Sequence, residues 1–149
     1  KAFMVTMLLT SIFRNASSAV HEVEPHPQGK RVAFIPTASA VEPWGPVHSA
    51  LSKRALQRLG FEVEQLDVED VPSGSAERIT RSIAEADCIY VGGGNTFLAD
   101  FRVVPHHHAA AMGHAAQRIL DQYGADLSLK PLTNRQALLV KDGKTRLLR

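Results

Sequence analysis

Three short, almost continuously apolar runs limit the folds available to this chain. They occupy residues 3–9, 31–35 and 88–91. A strand with one face in water alternates apolar and polar residues, whereas a strand covered on both faces is apolar throughout. The runs therefore predict buried strands in a sheet with helices on both sides.

The segments between and after these runs alternate between helix and strand patterns. Residues 47–59 predict a helix ended by Gly60, with apolar positions at Val47, Ala50, Leu51, Ala55 and Leu59. Residues 61–68 alternate apolar and polar side chains, which favours a strand nearer a sheet edge. Ser75 is a good cap for a second helix, whose apolar face comprises Ile79, Ile83 and Ala86. This order predicts an α/β fold with a doubly wound, mostly parallel sheet.

The C-terminal part predicts a helix and a hairpin. Residues 109–123 have a helical pattern that ends at Gly124, and Asp142-Gly143 separates the apolar runs 136–140 and 145–148. Asp-Gly between two such runs is a strong hairpin signal. With 149 residues, of which 44% are hydrophobic, we expect one globular domain over residues 1–149.

Composition argues against several classes of partner. The net charge is +2 and the basic residues are scattered, so we expect no nucleic-acid surface. No apolar run approaches the roughly 20 residues that a membrane-spanning helix needs, so we expect no membrane partner. A single cysteine, Cys88, and no CxxC pair are compatible with a reducing compartment. We therefore expect a cytoplasmic protein.

A glycine-rich loop follows the strand at residues 88–91. Ligands of open parallel sheets bind outside the carboxyl ends of the strands. Gly92, Gly93 and Gly94 would let backbone N–H groups approach an anion or oxyanion, and Asn95 and Thr96 add side-chain donors. An ordinary glycine-rich turn is the alternative interpretation. The loop is neither GxGxxG nor GxxxxGK[ST], which argues against a nucleotide site.

Other residues with reactive side chains give weaker signals. Thr37 and Ser39 follow the strand at residues 31–35, but Ser39 lacks the G-x-S-x-G elbow of a nucleophile and could simply cap the loop. Cys88 lies within an apolar strand, where a thiol usually packs inertly.

Histidines form the last candidate group. The run at residues 106–108 offers a general base, and His114 lies further along the predicted helix. Adjacent histidines point in different directions and no HExxH occurs, so we expect no metal site. Surface histidines at a helix start are the alternative.

Several of these motifs together resemble one family. They are Val32 to Ser39 with its Pro36-Thr37-Ala38-Ser39 end, Leu59-Gly60-Phe61, and Gly92-Gly93-Gly94-Asn95-Thr96-Phe97. In this order, at these strand ends, they resemble the peptidase E (aspartyl dipeptidase) family of serine peptidases, to which cyanophycinase is related. Val104-Pro105-His106 and the closing hairpin stand in the order of that family as well.

The resemblance implies a class I glutamine amidotransferase-like fold and a serine nucleophile in a Gly-x-Ser-Ala-Gly turn. It assigns the general base to His106 and oxyanion donation to the glycine loop, at Gly93 or Gly94. Asn95 and Thr96 would shape the pocket. It further implies a small peptide substrate, no metal or organic cofactor, and a homodimer.

The sequence departs from the family pattern at one place. No Gly-x-Ser-Ala-Gly occurs, and the chain passes directly from Leu98 to Ala99 where a helix, a strand and an acidic residue are expected. The missing block would be roughly 40 to 60 residues, because one βαβ unit takes about 30 or more. Either the sequence omits an interior segment or the protein is truly this short. We favour omission, because deletion of a central strand leaves sheet edges unpaired.

Three functional hypotheses follow. The first is a serine-type hydrolase that cleaves small peptides through an acyl-enzyme, with its nucleophilic serine outside the present sequence. The second is a catalytically inactive family member that binds a small ligand or peptide. The third, a glutamine-amidotransferase-like enzyme using Cys88, requires a different geometry, because Cys88 precedes the glycine loop.

Overall fold

A computed structural model describes residues 5–40, 42–69, 75–93 and 101–149. The chain forms two compact units, Lys1–Pro25 with Asn95–Arg149, and His26–Gly94. The strands are β1 (Met7–Thr10), β2 (Arg31–Ile35), β3 (Glu62–Gln65), β4 (Cys88–Val91), β5 (Arg102–Val104), β6 (Leu129–Pro131), β7 (Ala137–Lys141) and β8 (Lys144–Leu148). The α-helices are α1 (Gly45–Arg58), α2 (Ser75–Glu85) and α3 (Gly113–Tyr123).

The unit of residues 26–94 contains a three-stranded parallel sheet in the order β3-β2-β4. The chain leaves β2 through α1 to reach β3, and then returns through α2 to β4 on the other side of β2. The predicted strand–helix–strand–helix–strand succession is confirmed here, although β3 is shorter than the alternating pattern suggested. The α/β class follows from these two crossover units.

One face of this sheet packs against α2. Ala33, Leu66 and Ile79 form a buried cluster there, and Ile35 and Ile83 pack against its border. Glu64 on the same face accepts hydrogen bonds from the α2 side chains Arg78 (3.3 Å) and Ser82 (3.0 Å). The predicted apolar face of the second helix is therefore correct.

The other face of the sheet packs against α1. Phe34 is fully buried and its ring stacks on Tyr90 at 4.8 Å between centroids. Tyr90 also hydrogen-bonds Ser52 of α1. The predicted apolar face of this helix was therefore misplaced: Ser52 and Leu56 are buried, whereas Val47 is 51% exposed. The periodicity predicted an apolar side chain at this contact between α1 and the sheet. The buried side chain is instead that of Ser52, whose hydroxyl is hydrogen-bonded to the phenol of Tyr90.

The partly buried phenol of Tyr90 should make the free energy of unfolding decrease at alkaline pH. Burial raises the pKa of Tyr90 above its ordinary value of 10.0, and the hydrogen bond to Ser52 partly offsets the rise. Folded Tyr90 thus keeps its proton at pH values where the unfolded chain has lost it. The free energy of unfolding therefore keeps its full contribution from Tyr90 below pH 10.0. It decreases as the pH rises further, because the unfolded chain is then favoured by loss of the phenol proton.

We expect Tyr90→Phe to flatten the decline of unfolding free energy above pH 10.0, as measured by urea denaturation at successive pH values. Tyr123→Phe is the control, because that side chain is 44% exposed on α3. An unchanged alkaline slope in Tyr90→Phe would contradict the assignment.

The other unit contains a three-stranded antiparallel sheet, in the order β1-β7-β8. The C-terminal hairpin is confirmed, with Asp142 (φ 52°) and Gly143 (φ 71°) in the left-handed conformation that a two-residue type I′ turn needs. The expectation that the first apolar run belongs to the parallel sheet is wrong. β1 is half-buried and pairs antiparallel with β7, because an apolar run specifies burial but not direction.

Two further strands and a helix complete this unit. β5 and β6 pair in parallel, with Val104 opposite Pro131. α3 begins at Gly113 and not near residue 109 as predicted, because His108 takes a positive φ of 60° that interrupts helical geometry. Among the residues described, no helix has both the length and the apolar character needed to cross a bilayer.

Candidate active site

His106 lies in a hydrogen-bonded cluster with two residues that the sequence did not point to. It follows β5 by two residues, Ser11 directly follows β1, and Asn134 lies in the turn between β6 and β7. Parallel pairing of β5 with β6 brings the carboxyl ends of both strands to one edge. Thr10 pairs with Ala137 at the start of β7, which brings Ser11 to the same place.

The contacts within this cluster fix the imidazole. His106 Nδ1 lies 2.9 Å from Asn134 Oδ1, and the Ser11 hydroxyl donates to the same oxygen at 3.0 Å. An amide oxygen only accepts hydrogen bonds, so the hydrogen of the neutral imidazole is on Nδ1. Nε2 consequently keeps its lone pair. A histidine held in this tautomer is prepared to accept a proton through Nε2.

The backbone of His106 is held as firmly as its ring. His106 has φ 62°, a left-handed conformation that costs a non-glycine residue about 1–2 kcal/mol. Ser11 Oγ accepts the His106 N–H at 2.9 Å and lies 3.3 Å from Nδ1. Surrounding contacts must compensate such strain, and residues in sparsely populated conformations cluster at functional sites.

The other histidines have different surroundings. His107 Nε2 lies 3.2 Å from Gln117 Oε1, and its ring contacts that of His108 at 3.8 Å between centroids. His114 is exposed on α3. Of the histidines considered from the sequence, His106 is the one whose ring hydrogen bond leaves Nε2 prepared as a base.

Removal of the Asn134 amide should be visible directly on the His106 ring. We expect Asn134→Ala to convert His106 from the Nδ1–H tautomer to a mixture of both, because its fixed acceptor is lost. Nitrogen chemical shifts of the imidazole measure the tautomer ratio. Gln117→Ala is the control, since it removes a partner of His107 and leaves the Ser11–Asn134 pair in place. A ring that keeps its tautomer in Asn134→Ala would contradict the assignment.

The glycine loop after β4 packs against the loop after β2. Gly92 N–H donates to Ile35 O at 3.0 Å. Gly93 has φ 78°, and a Cβ added to it would stand 2.7 Å from Ser39 N and 2.8 Å from Ser39 Cα. Real Cβ atoms do not approach other atoms so closely, so only glycine fits. The loop therefore brings two strand-end segments into backbone contact.

Ser39 is a structural residue of this loop. It is 5% exposed, donates from Oγ to Pro36 O at 2.7 Å and shares a 2.7 Å hydrogen bond with Ser49. These contacts favour the capping interpretation of Ser39 over a nucleophile. The hydroxyl of Thr37 accepts the Val68 N–H at 3.3 Å and so ties down the segment after β3.

The remaining predicted site residues divide as follows. Gly94, Asn95 and Thr96 lie outside the described residues. Cys88 is half-buried within β4 and not on a turn. His106 belongs to one compact unit, and Gly92 and Gly93 belong to the other.

A charged cleft of about 310 Å³ lies elsewhere, between α2 and the amino-terminal halves of β2 and β3. Arg31 pairs with Glu85 at 3.2 Å, and Arg78 pairs with Glu64 at 3.3 Å. These ion pairs involve four of the six charged side chains that line it. The strand-end loops, and not this cleft, therefore remain the candidate region.

Comparisons with known proteins lead to the same family as the motifs quoted in the sequence analysis. The model of peptidase family S51 matches residues 7–98. An uncharacterized peptidase from Listeria innocua is 27% identical over 200 residues, covering 93% of this chain and 94% of the relative. An uncharacterized peptidase from Pasteurella multocida is 26% identical over 207 residues, covering 98% of each chain.

A solved structure has the same fold. The crystal structure of a protein described as peptidase E from Listeria monocytogenes EGD-e superposes with a TM-score of 0.74 at 23% identity, and covers 98% of each chain.

The alignments are longer than the chain. The Listeria innocua alignment spans 200 residues, which is 51 more than the 149 residues present here. Both ends of that relative are nearly covered, so the surplus is interior. The family match ends at residue 98, within four residues of the boundary between the two compact units at Gly94. On the match over residues 7–98, and in agreement with the peptidase E resemblance, the chain belongs to peptidase family S51.

Proposed function

We propose that this chain is part of a serine-type hydrolase that cleaves small peptides in the manner of dipeptidase E. The observation that carries the proposal is the His106 cluster. A neutral imidazole with Nδ1–H held by Asn134 and Nε2 left as acceptor is the arrangement that a nucleophilic hydroxyl needs for activation.

The nucleophile would come from an interior segment inserted between Leu98 and Ala99. Support comes from the 51 surplus alignment positions and from the end of the family match at residue 98. With that segment in place, we infer a doubly wound sheet of the class I glutamine amidotransferase type. A homodimer and a cytoplasmic location belong to the same proposal.

The proposed reaction conserves every proton. Nε2 of His106 takes the serine proton as Oγ attacks the peptide carbonyl carbon, and an Oγ–C bond forms. The protonated His106 then gives that proton to the leaving amine as the C–N bond breaks. Water, deprotonated by the same nitrogen, cleaves the ester and returns the serine. The backbone N–H of Gly93 or Gly94 would stabilise the oxyanion, with Asn95 and Thr96 shaping the pocket. The N–H of Gly92 is not available for this role, because it donates to Ile35 O.

Asn134 has a positioning role in this scheme. An amide in place of a carboxylate orients the ring without adding charge, as in cysteine peptidases with a Cys-His-Asn arrangement. Ser11 supports it by donating to the same Oδ1 atom. No metal or organic cofactor takes part in the proposed steps.

A second function is favoured by one observation: the sequence of 149 residues contains no Gly-x-Ser-Ala-Gly. A chain of this length would then be a binding protein for small peptides, without turnover. The two functions predict opposite results with a serine-reactive probe.

Two proteins should be compared. One is this chain, and the other, called the inserted protein below, carries the interior residues of the Listeria innocua relative between Leu98 and Ala99. A fluorophosphonate should label one serine of the inserted segment, and that protein should hydrolyse dipeptides. The 149-residue chain should remain unlabelled. Absence of labelling in a folded inserted protein that binds dipeptides reversibly would replace the hydrolase with the binding function.

A further inference from the structure

The loop after β2 and the loop after β4 meet at one residue, Ser39. A Cβ added to Gly93 would lie 2.7 Å from Ser39 N and 2.8 Å from both Ser39 Cα and Ser39 Cβ. Gly92 is held beside them, because its N–H donates to Ile35 O at 3.0 Å. The backbone of Gly93 therefore packs directly against Ser39, and a shift of Ser39 has to move Gly93 as well.

Of these two glycines, Gly93 is the one whose N–H can still serve a ligand. Gly92 is buried and its N–H is used, whereas Gly93 is exposed. Among the described residues, no backbone carbonyl accepts the Gly93 N–H. Such a donor stabilises an oxyanion only if it already points to the place where the charge develops. The orientation of the Gly93 peptide therefore matters for any acyl transfer at this loop.

Two hydroxyl groups hold Ser39 in place. Ser39 Oγ donates to Pro36 O at 2.7 Å, and it lies 2.7 Å from Ser49 Oγ of α1. A hydroxyl has one hydrogen, and that of Ser39 is directed to Pro36 O, so the Ser49 hydroxyl donates to Ser39. The result is a chain of hydrogen bonds from α1, through Ser49 and Ser39, to the residue that follows β2.

Burial makes this link difficult to replace with water. Ser39 is 5% exposed, Ser49 is half-buried, and a Cβ at Gly45 of α1 would overlap with Ser39 O. A buried polar atom that loses its partner regains one only if its surroundings move. Without the Ser49 hydroxyl, the turn at Ser39 loses its side-chain hydrogen bond to α1 and keeps only the bonds within the turn, to Pro36 O.

We propose that Ser49 and Ser39 are positioning residues, which act through Gly93 by holding its N–H in the orientation that oxyanion stabilisation requires. Neither hydroxyl touches the substrate in this scheme. The inference rests on the proposed function, because the oxyanion belongs to the reaction of that hydrolase. The hydrogen-bond link itself lies within the unit of residues 26–94 and can be tested without turnover.

The mobility of the Gly93 amide in the 149-residue chain gives the first readout. We expect Ser49→Ala to lower the nitrogen order parameter of that amide from about 0.85, typical of rigid backbone, toward about 0.6. Ser49→Thr keeps a hydroxyl and should restore the higher value. Ser82→Ala is the matched control, because it also removes a helix hydroxyl, whose partner Glu64 lies on the opposite face of the sheet. It should leave Gly93 unchanged.

Dipeptide hydrolysis by the inserted protein gives the second readout. Loss of a whole oxyanion donor costs about a hundredfold to a thousandfold in kcat, and misorientation removes only part of that, so Ser49→Ala and Ser39→Ala should each lower kcat about tenfold. KM should stay within about twofold, because the ground-state substrate does not need the donor. The double variant should be no slower than Ser39→Ala, since both changes remove the same hydrogen bond. Ser49→Thr should recover kcat, and Ser82→Ala should not change it.

Two results would overturn the proposal. One is a Gly93 order parameter that does not change in Ser49→Ala. The other is an unchanged kcat in Ser49→Ala of an active inserted protein, including the case in which only KM changes, since the serines would then act on substrate affinity. Absence of hydrolysis in the inserted protein without these substitutions would count against the proposed function alone. A lower order parameter of Gly93 in Ser49→Ala would still support the link from α1 to the glycine loop.

Discussion

Replacement of Gly93 by alanine is expected to lower the free energy of unfolding by about 3 kcal/mol, the sum of backbone strain and overpacking. Gly93 has φ 78°, and the new Cβ would stand 2.7–2.8 Å from the N, Cα and Cβ atoms of Ser39. Ser39 cannot easily move away from the added Cβ. A Cβ at Gly45 would overlap with Ser39 O, so Ser39 is packed closely against two glycines.

Gly29→Ala separates the two parts of this effect. Gly29 has nearly the same φ, 73°, but no atom lies within 4 Å of the position that a Cβ would take. It should therefore lose only the strain component, about 1 kcal/mol. Urea denaturation of the unchanged chain, Gly93→Ala and Gly29→Ala measures both losses of unfolding free energy. Equal losses in Gly93→Ala and Gly29→Ala would show that the contact with Ser39 is not tight.

Replacement of His106 by alanine is expected to reduce dipeptide hydrolysis by the inserted protein about a thousandfold, the range for loss of a general base. The effect should fall on kcat, because Nε2 acts on the reacting proton and not on substrate affinity. Steady-state kinetics with a dipeptide measure the change. Added imidazole should restore part of the rate, because a free base can then occupy the vacated space.

His114→Ala is the matched control for this experiment. His114 belongs to the same unit and is exposed on α3, away from the Ser11–Asn134 pair. Its removal should leave kcat and KM unchanged. Unimpaired turnover in His106→Ala would remove the general-base assignment, whereas loss of activity in both variants would indicate a general disturbance of the loop and α3.

The parallel unit of the fold could be predicted because its signals are local. The runs that became β2 and β4 are apolar apart from Arg31 at the start of β2, and Gly60 lies one residue beyond the C-cap of α1. β1 was misassigned for a physical reason. Its apolar residues satisfy a parallel or an antiparallel neighbour equally well, and the neighbour it has, β7, lies near the other end of the sequence.

The candidate site was only half predictable. His106 could be singled out from the three adjacent histidines only because Pro105-His106 resembles the Pro-His motif of the peptidase E family. Ser11 and Asn134 carried no comparable signal, since they lie 95 and 28 residues from His106 in sequence and meet it only through strand pairing. The succession Ser11 after β1 and Asn134 before β7 becomes meaningful once the pairing of Thr10 with Ala137 is known.

The pairing of β1 with β7 also affects the order in which the chain can fold during synthesis. Met7 lies opposite Val140, so β1 leaves the ribosome long before its partner does. The unit of residues 26–94 is continuous and can fold as soon as it emerges, whereas β1 has to wait for β7. During that interval the apolar β1 is exposed and available to chaperones. A premature stop before β7 would therefore release chains in which residues 26–94 are folded and β1 is unpaired, and slow translation would lengthen the interval.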